Sequence, residues 1–487
     1  MPEHNLARAA EAALDRHGDH DALWFEGSWH RSAALHERAR RLAGVLRALG
    51  VEPGDRVVVL MANCPEVAIS YNAIWRVGAV VTPAIFLLPP AELAHIVQDS
   101  GARLILASPE LAENAPSDVE VVTTDRFAEL EQEADPSPIV EPAGADLAAL
   151  MYTGGTTGRA KGVMLSHENL WFAGKSGHDA GYVPGVTRSL TALPLSHAFG
   201  LLVTVVGFHN REPHASVLMR WFQPQAWLQL TAEHRVQITA VVPSMLKLLL
   251  AEPLEDYDLA ELRYVVSGAA ALPSETAQEL LRRLPGIEIR EGYGLTESSA
   301  LVSSSPPGRA RLGAVGTPVP GIEVRIDEPD RQGVGEILVR SPSVMLGYWQ
   351  APELTREVLR DGWLHTGDLG FLDADGYLRV VDRKKDLIIR SGFNVFPRDV
   401  EEALLEHPAV IAAGVVGRPD ELHGEEVVAF VELGSDDVGP DDLVAFCKER
   451  IGGYKYPREV HVVPSLPLTP VGKLDRKALR AKIEVTA

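Results

Sequence analysis

Apolar positions from Ala33 to Leu49 recur at helical spacing and stop at Gly50, which predicts a helix. Arg56–Met61 (RVVVLM) then reads as a buried strand, and Glu66 opens a second helical stretch that runs through Ile74–Val77. Val80–Val81, Leu104–Ala107 and Val119–Val122 are short β-branched runs that predict further strands. Pro136–Pro142 (PSPIVEP) reads as a spacer, after which the alternation resumes with strands at Gln237–Val242 and Tyr264–Ser267 and a helix at Glu275–Leu284. Beyond Gly321 short strands and Gly/Asp turns dominate, at Glu323–Ile326, Gly335–Arg340 and Tyr377–Val381. The rhythm changes again after Asp382–Asp386 (DRKKD): strand Leu387–Ile389, a helix from Arg398 to His407, and strands Ile411–Val416 and Val427–Glu432. This order predicts an α/β chain. A large N-terminal domain of mainly parallel α/β sheets, with a β-rich subdomain, spans residues 1–382. A small α+β C-terminal domain spans 383–487, with the boundary near Arg383–Lys385.

Composition narrows the function classes. A net charge of −21 over 487 residues argues against unspecific binding to nucleic acid or to an anionic membrane. No run of about 18 consecutive apolar residues occurs, so no transmembrane span is expected, and Leu201–Phe208 reads as buried core. Cys64 and Cys447 form no metal or redox motif, and the first residues carry acidic side chains without an apolar signal core. A reducing, cytoplasmic setting is the expectation; the oligomeric state stays open.

The densest chemistry lies in Tyr152–Val163 (YTGGTTGRAKGV). Gly154, Gly155, Gly158 and Gly162 let backbone amides approach an anion. Thr153, Thr156 and Thr157 add hydroxyls and Lys161 adds a positive charge, a set suited to a polyphosphate. The spacing is not GxxxxGK[ST], because Ala160 precedes Lys161 and Gly162 follows it. A surface turn is the other reading of the segment taken alone.

The segment resembles the signature of the adenylate-forming superfamily of acyl-CoA synthetases, peptide-synthetase adenylation domains and luciferases. It departs from the usual YTSGTTGxPKGV at Gly155 and Ala160. Further segments follow in family order. Pro194–Gly200 (PLSHAFG) implies a role for His197 where the acid meets the nucleotide. Ser267–Ala271 (SGAAA) implies an adenine wall at Gly268, Ala269 and Ala270. In Glu291–Glu297 (EGYGLTE), Glu291, Gly292 and Gly294 are expected at ATP. Tyr293 offers a ring to adenine, Thr296 a hydroxyl to the α-phosphate and Glu297 an oxygen ligand to Mg²⁺. The resemblance assigns ribose to Asp368 of Trp363–Asp368 (WLHTGD), a ribose or phosphate contact to Arg383, a hinge to Lys385 and catalysis to Lys473 of Leu468–Arg476 (LTPVGKLDR).

The implied reaction is attack of a carboxylate on the α-phosphate of ATP, giving an acyl-adenylate and pyrophosphate. No general base is needed, since the acid is already ionised. The C-terminal domain would then turn about Lys385, withdraw Lys473 and present the region around Gly392 to coenzyme A. Basic residues Lys448, Arg450, Lys455 and Arg458 could hold its phosphates, although a solvated face accounts for any single one. His197, Phe199, Val242 and Leu301, within apolar segments, predict a pocket for an aliphatic, aryl or polycyclic acid. Three alternatives stand beside this: an enzyme that stops at the adenylate or hands the acyl group to a carrier protein or partner ligase, a nonenzymatic nucleotide sensor, and a Walker-type ATPase or kinase.

Overall fold

The computed structural model describes residues 4–141, 144–153, 160–435, 437–469 and 474–486. Two parallel-cored sheets form the larger part. In the first, strands β1 (Arg56–Leu60), β2 (Val80–Ala84), β3 (Leu104–Ala107) and β4 (Glu120–Thr123) run parallel, in spatial order β4-β3-β1-β2. Val57, Val58 and Val59 are at most 1% exposed, which explains the unbroken β-branched run: a sheet covered on both faces needs apolar residues at every position. Beside β2 lies β5 (Leu147–Thr153), which turns back as the antiparallel strand β6 (Lys161–Ser166). The expected strands therefore form, with ends shifted by at most three residues.

The second sheet is built around parallel strands β7 (Arg188–Thr191), β8 (Ala215–Leu218), β9 (Ile238–Val241), β10 (Tyr264–Ser267) and β11 (Glu288–Tyr293), in order β11-β10-β9-β7-β8. Leu190, Val217, Val241, Val265 and Ile289 from these strands share one apolar cluster with Trp227, Leu246, Leu249 and Leu280 on the helices that cover that face.

Three helices position the site. Helix α1 (Pro90–Ser100) follows β2. Helix α2 (His167–Gly181) starts on a reciprocal cap in which Asn169 N–H donates to Ser166 Oγ (3.1 Å) and Ser166 N–H to Asn169 Oδ1 (2.8 Å). Helix α3 (Ala198–Gly207) is the apolar stretch expected as core. Its Leu201, Leu202 and Val205 are buried, while Val203 and Val206 are half-buried. The two helices pack closely because α2 carries glycine there: a Cβ at Gly174 would stand 2.6 Å from the Val205 carbonyl oxygen.

Contacts divide the chain into two compact units. One comprises Met1–Val324, Val339–His365 and Gly376–Leu378; the other comprises Arg325–Leu338, Thr366–Asp375 and Arg379–Ala487. Within the second unit, strands Ile388–Arg390, Phe393–Val395, Val410–Asp420, Gly424–Leu433 and Glu459–Val462 make one sheet. Val400 and Leu404 of helix Pro397–Leu405 and Leu443 and Cys447 of helix Pro440–Arg450 pack with Val415, Val427 and Val431 of that sheet into its core.

Candidate active site

The β5–β6 hairpin carries the phosphate-loop motif at its tip. Its register pairs Tyr152 with Gly162 and Thr153 with Lys161, so Thr153 and Lys161 flank the loop at equal height. Gly154, Gly155, Thr156, Thr157 and Gly158 lie outside the described residues, as does Lys473. Gly162 has a packing role: a Cβ there would meet Leu150 Cδ1 at 2.9 Å and Trp349 Cβ at 3.1 Å. The hairpin is tied to α1. Tyr152 Oη donates to Asp99 Oδ2 (2.6 Å), Trp349 Nε1 donates to the Asp99 carbonyl (3.0 Å), and His95 Nε2 donates to the Ala160 carbonyl (3.1 Å). Burial and the Asp99 carboxylate push the Tyr152 hydroxyl pKa up, so it stays a donor.

Lys161 and Glu297 are linked by a residue that no motif pointed to. The Lys161 ammonium lies 5.5 Å from the ring centre of Tyr348, and Tyr348 Oη donates to Glu297 Oε1 at 2.8 Å. Burial, then the charge of Glu297, pushes the Tyr348 hydroxyl far above its usual range. Gly347–Tyr348 pairs antiparallel with β6, which fixes the ring beside Lys161. With one oxygen of Glu297 oriented by Tyr348, the residue suits a Mg²⁺ ion bound mostly by phosphate oxygens and water.

The two segments expected at adenine meet where β10 and β11 end. Ser267 pairs with Glu291, so residues 268–270 emerge beside 292–294. Ala269 holds φ +68°, a left-handed conformation that costs a non-glycine residue free energy. At Gly294 a Cβ would lie 2.2 Å from the Ala300 carbonyl oxygen, so only glycine fits. The turn Thr296–Ser298 is closed by Leu295 N–H donating to Ser298 Oγ (3.2 Å), and Ser299 and Ala300 follow at positive φ (55° and 67°). Tyr293 accepts Val302 N–H on its carbonyl (2.8 Å), which fixes its backbone. Glu291 is buried, and its Oε1 accepts Gly313 N–H (2.9 Å), an anchor for the neighbouring loop.

His197 caps α3 with its ring: Nδ1 accepts Phe199 N–H (3.3 Å), which leaves the hydrogen on Nε2 and makes that atom the donor. Phe199 reaches across to the adenine segment, since a Cβ at Gly268 would lie 3.3 Å from Phe199 Cε1 and 3.7 Å from the Gly292 carbonyl oxygen. Leu301 packs under α2, with its Cδ2 3.3 Å from where a Cβ of Gly177 would stand. Val242 precedes helix Pro243–Leu250 and packs against the second sheet's core. The first unit thus brings together Phe199, Gly268 and Gly292, and separately Lys161, Tyr348 and Glu297.

Within the second unit, Asp368 is 4% exposed and its Oδ1 lies 3.1 Å from Arg383 Nε. Nearby, Lys384 Nζ pairs with Glu336 Oε2 (2.9 Å), and Glu336 Oε1 accepts Gly367 N–H (3.1 Å). The two residues assigned to ribose and phosphate are therefore neighbours. Burial, then the Arg383 charge, lowers the Lys385 ammonium pKa. Asp382 accepts Arg383 N–H (2.7 Å) and Arg398 N–H (3.0 Å), while burial pushes its carboxyl pKa up. Gly392 has φ +80° with open space where a Cβ would project. Lys455 Nζ pairs with Asp399 Oδ2 (2.6 Å). Arg450 and Arg458 each stack on an aromatic ring, Phe446 at 3.5 Å and Tyr456 at 3.4 Å, and Lys448 stands 5.9 Å from Tyr456.

Comparison with known proteins agrees with this layout. Residues 10–349 match the model of the AMP-binding enzyme family, and residues 399–473 match that of the AMP-binding enzyme C-terminal domain. A feruloyl-CoA synthase of an Amycolatopsis species is 37% identical over 92% of this chain and 93% of its own length. A long-chain-fatty-acid–CoA ligase of Yersinia pestis is 34% identical over 98% of this chain and 94% of its own. Among solved structures, ATP-bound MatB from Rhodopseudomonas palustris superposes with TM-score 0.89 at 30% identity, covering 98% of this chain and 99% of that one. The anthranilate CoA ligase AuaEII in complex with anthranoyl-AMP gives 0.90 at 27%, covering 99% and 98%. With its motifs in order on a matching fold and relatives aligned over nearly their whole length, the chain belongs to the AMP-binding enzyme family, among the adenylate-forming acyl-CoA synthetases and ligases.

Proposed function

We propose that this protein joins a carboxylic acid to coenzyme A through an acyl-adenylate, at the expense of ATP cleaved to AMP and pyrophosphate. The observation that carries the reading is the Lys161–Tyr348–Glu297 arrangement at the foot of the phosphate-loop motif, with a second group in the same unit where Phe199 meets Gly268. Positive charge and an oriented carboxylate side by side support a polyphosphate site at Lys161 and Glu297.

An acid carboxylate oxygen attacks the α-phosphorus, and the bond to the bridging oxygen of pyrophosphate breaks. Thr153, Lys161 and the loop residues Gly154–Gly158 hold the leaving phosphates. Thr296 donates to the α-phosphate, and Lys473 brings positive charge to the oxygens on which negative charge develops. Glu297 would hold Mg²⁺, which supplies charge neutralisation along the phosphates. Tyr293 and residues 268–270 receive adenine, and Asp368 with Arg383 receives ribose. His197 presents Nε2–H at the junction of acid and nucleotide. The domain 383–487 then turns on the domain 1–382 about Lys385, so that Gly392 and Lys455 serve coenzyme A in thioester formation. Cys64 and Cys447 take no part: both are buried, with thiol pKa values pushed up to about 12 and about 11. Their inertness fits a cytoplasmic setting.

The test is pyrophosphate release across a panel of acids, with and without coenzyme A, and mass spectrometry of the product. Thioester formed with AMP supports the proposal; ADP, or adenylate that persists with coenzyme A present, contradicts it. The latter outcome favours transfer to a carrier protein or partner ligase. Lys473→Ala should suppress adenylation on the order of 100-fold or more yet leave thiol attack on supplied acyl-adenylate largely intact. Equal loss in both half-reactions would remove Lys473 from its assigned role.

A further inference from the structure

Strand β11 carries a buried charged side chain that the reaction does not use. Arg290 lies on β11, two residues before Gly292 and therefore on the same face of the sheet. Its side chain is 2% exposed, and its guanidinium stacks 3.7 Å over the ring centre of Tyr264. Nη1 donates to the Gly181 carbonyl at the end of α2 (3.2 Å). Gly181 lies one turn beyond Gly177, on the same side of α2. Gly177 in turn faces Leu301 and Val206, whose nearest side-chain atoms would stand 3.3 and 3.0 Å from a Cβ there. Leu301, Gly177 and the end of α2 thus lead to Arg290, which shares its face of the sheet with Gly292.

The remaining donors of Arg290 are unsatisfied. Nε and Nη2 are buried and have no hydrogen-bond partner among the described residues. These two N–H groups share one edge of the guanidinium, the edge that takes two oxygens side by side. Glu288 balances the charge from 3.7 Å, beyond hydrogen-bond reach of Nε. It is not free to close in, because Gly308 N–H donates to both its oxygens (3.0 and 2.9 Å) and Ala310 N–H to Oε1 (3.3 Å). Buried donors without acceptors are rare in folded proteins and point to a missing partner.

We propose that Arg290 closes the acid pocket at its far end and selects acids with an oxygen acceptor remote from the carboxylate, such as an aryl acid oxygenated on its ring. A long unsubstituted hydrocarbon chain would bury those donors unpaired and is selected against. This rests on the acid-activating function proposed above and specifies its substrate class.

The experiment compares kcat/KM for 4-hydroxycinnamate, cinnamate and hexadecanoate in pyrophosphate release. Wild type should favour 4-hydroxycinnamate over cinnamate by about 10- to 100-fold, the range of a hydrogen bond to a charged group, and disfavour hexadecanoate. Arg290→Met should lower kcat/KM for the hydroxylated acid more than for cinnamate, so that the ratio falls towards one. Arg290→Lys, which keeps the charge but loses the paired edge, should retain part of the preference and decides the matter if the methionine variant fails to fold. Equal use of both aryl acids by wild type, a wild-type preference for hexadecanoate, or a preference unchanged in either variant would overturn the assignment of Arg290 while leaving the ligase reading intact. Absence of pyrophosphate release with every acid would overturn the ligase reading itself.

Discussion

The proposed nucleotide side and the proposed acid side are built on different principles. The nucleotide side consists of short contiguous segments whose backbones are locked to one another. Gly294 touches the Ala300 carbonyl, Thr296–Ser298 closes on its own cap, and the β5–β6 hairpin is clamped to Asp99. The proposed acid side draws on scattered positions, Gly177 on α2, Phe199 on α3, Arg290 on β11 and Val242 and Leu301 in loops, each contributing one side chain or, as at Gly177, the absence of one. ATP is the same for every member of such a family, and its many polar atoms need backbone placed to fractions of an ångström. The acid varies, and a wall of single side chains can change one residue at a time without disturbing its neighbours.

The largest effect expected from this difference is at Gly294. Gly294→Ala forces a methyl group into a backbone oxygen, which should destabilise the protein by roughly 4 kcal/mol or more and abolish ATP binding. Gly177→Ala, whose Cβ would meet only side-chain ends, should fold and change acid preference instead. Thermal melting and acid profiles of the two variants check the contrast; equal loss of stability would break it.

The acid-side scaffold should also be the acid-labile part. His167 at the start of α2 accepts Leu6 N–H on Nδ1 (3.2 Å), and His209 sits after α3; burial lowers both ring pKa values to about 4. An unfolded histidine takes its proton near 6.5. The stability these neutral rings contribute is thus complete above pH 6.5, declines as pH falls, and is lost by about pH 4. For His167 it amounts to on the order of 3 kcal/mol. Melting curves at pH 7 and pH 4.5 should show the drop, and His167→Gln should lessen its slope.

Tyr348→Phe tests the nucleotide side more gently. Loss of the bond to Glu297 should reduce kcat/KM for ATP by about 10-fold and raise the Mg²⁺ concentration needed for ATP binding, measured by calorimetry, with little change in KM for the acid. A parallel shift in the acid's KM would blur the two-sided picture. The smallest effect belongs to the second unit. Lys455→Ala should raise KM for coenzyme A only about three- to fivefold, because the ammonium already pairs with Asp399 in a partly exposed contact.

Legibility in the sequence followed the same divide. Strands β1 to β4, β9 and β10 announce themselves as β-branched runs because both of their faces are covered, whereas β5 to β8 and β11, whose sequences mix in small or polar residues such as RSLT and EIREGY, are not among the expected strands. The segments expected at the nucleotide are visible because each is contiguous. Tyr348 is invisible in the sequence, since it acts through space on Glu297, 51 positions away, and neither helical nor strand periodicity connects them. Its place in EGYGLTE groups Glu291 with ATP. Strand alternation sends its carboxylate to the opposite face from Gly292, where Gly313 engages it. Arg290 reads on paper as a polar residue in a strand; only its burial and its unpaired edge give it meaning. The α3 segment reads as apolar in the sequence, and the structure adds that Leu201, Leu202 and Val205 are buried while Val203 and Val206 are half-buried.

The central claim is that one pocket turns an acid into an adenylate and then a thioester. The most direct measurement is mass spectrometry of a reaction containing ATP, Mg²⁺, 4-hydroxycinnamate and coenzyme A, run beside a reaction lacking coenzyme A. The account predicts the aryl-CoA thioester and AMP in the first and enzyme-bound acyl-adenylate with pyrophosphate in the second. Formation of ADP, or no dependence of pyrophosphate release on any carboxylic acid, would contradict it.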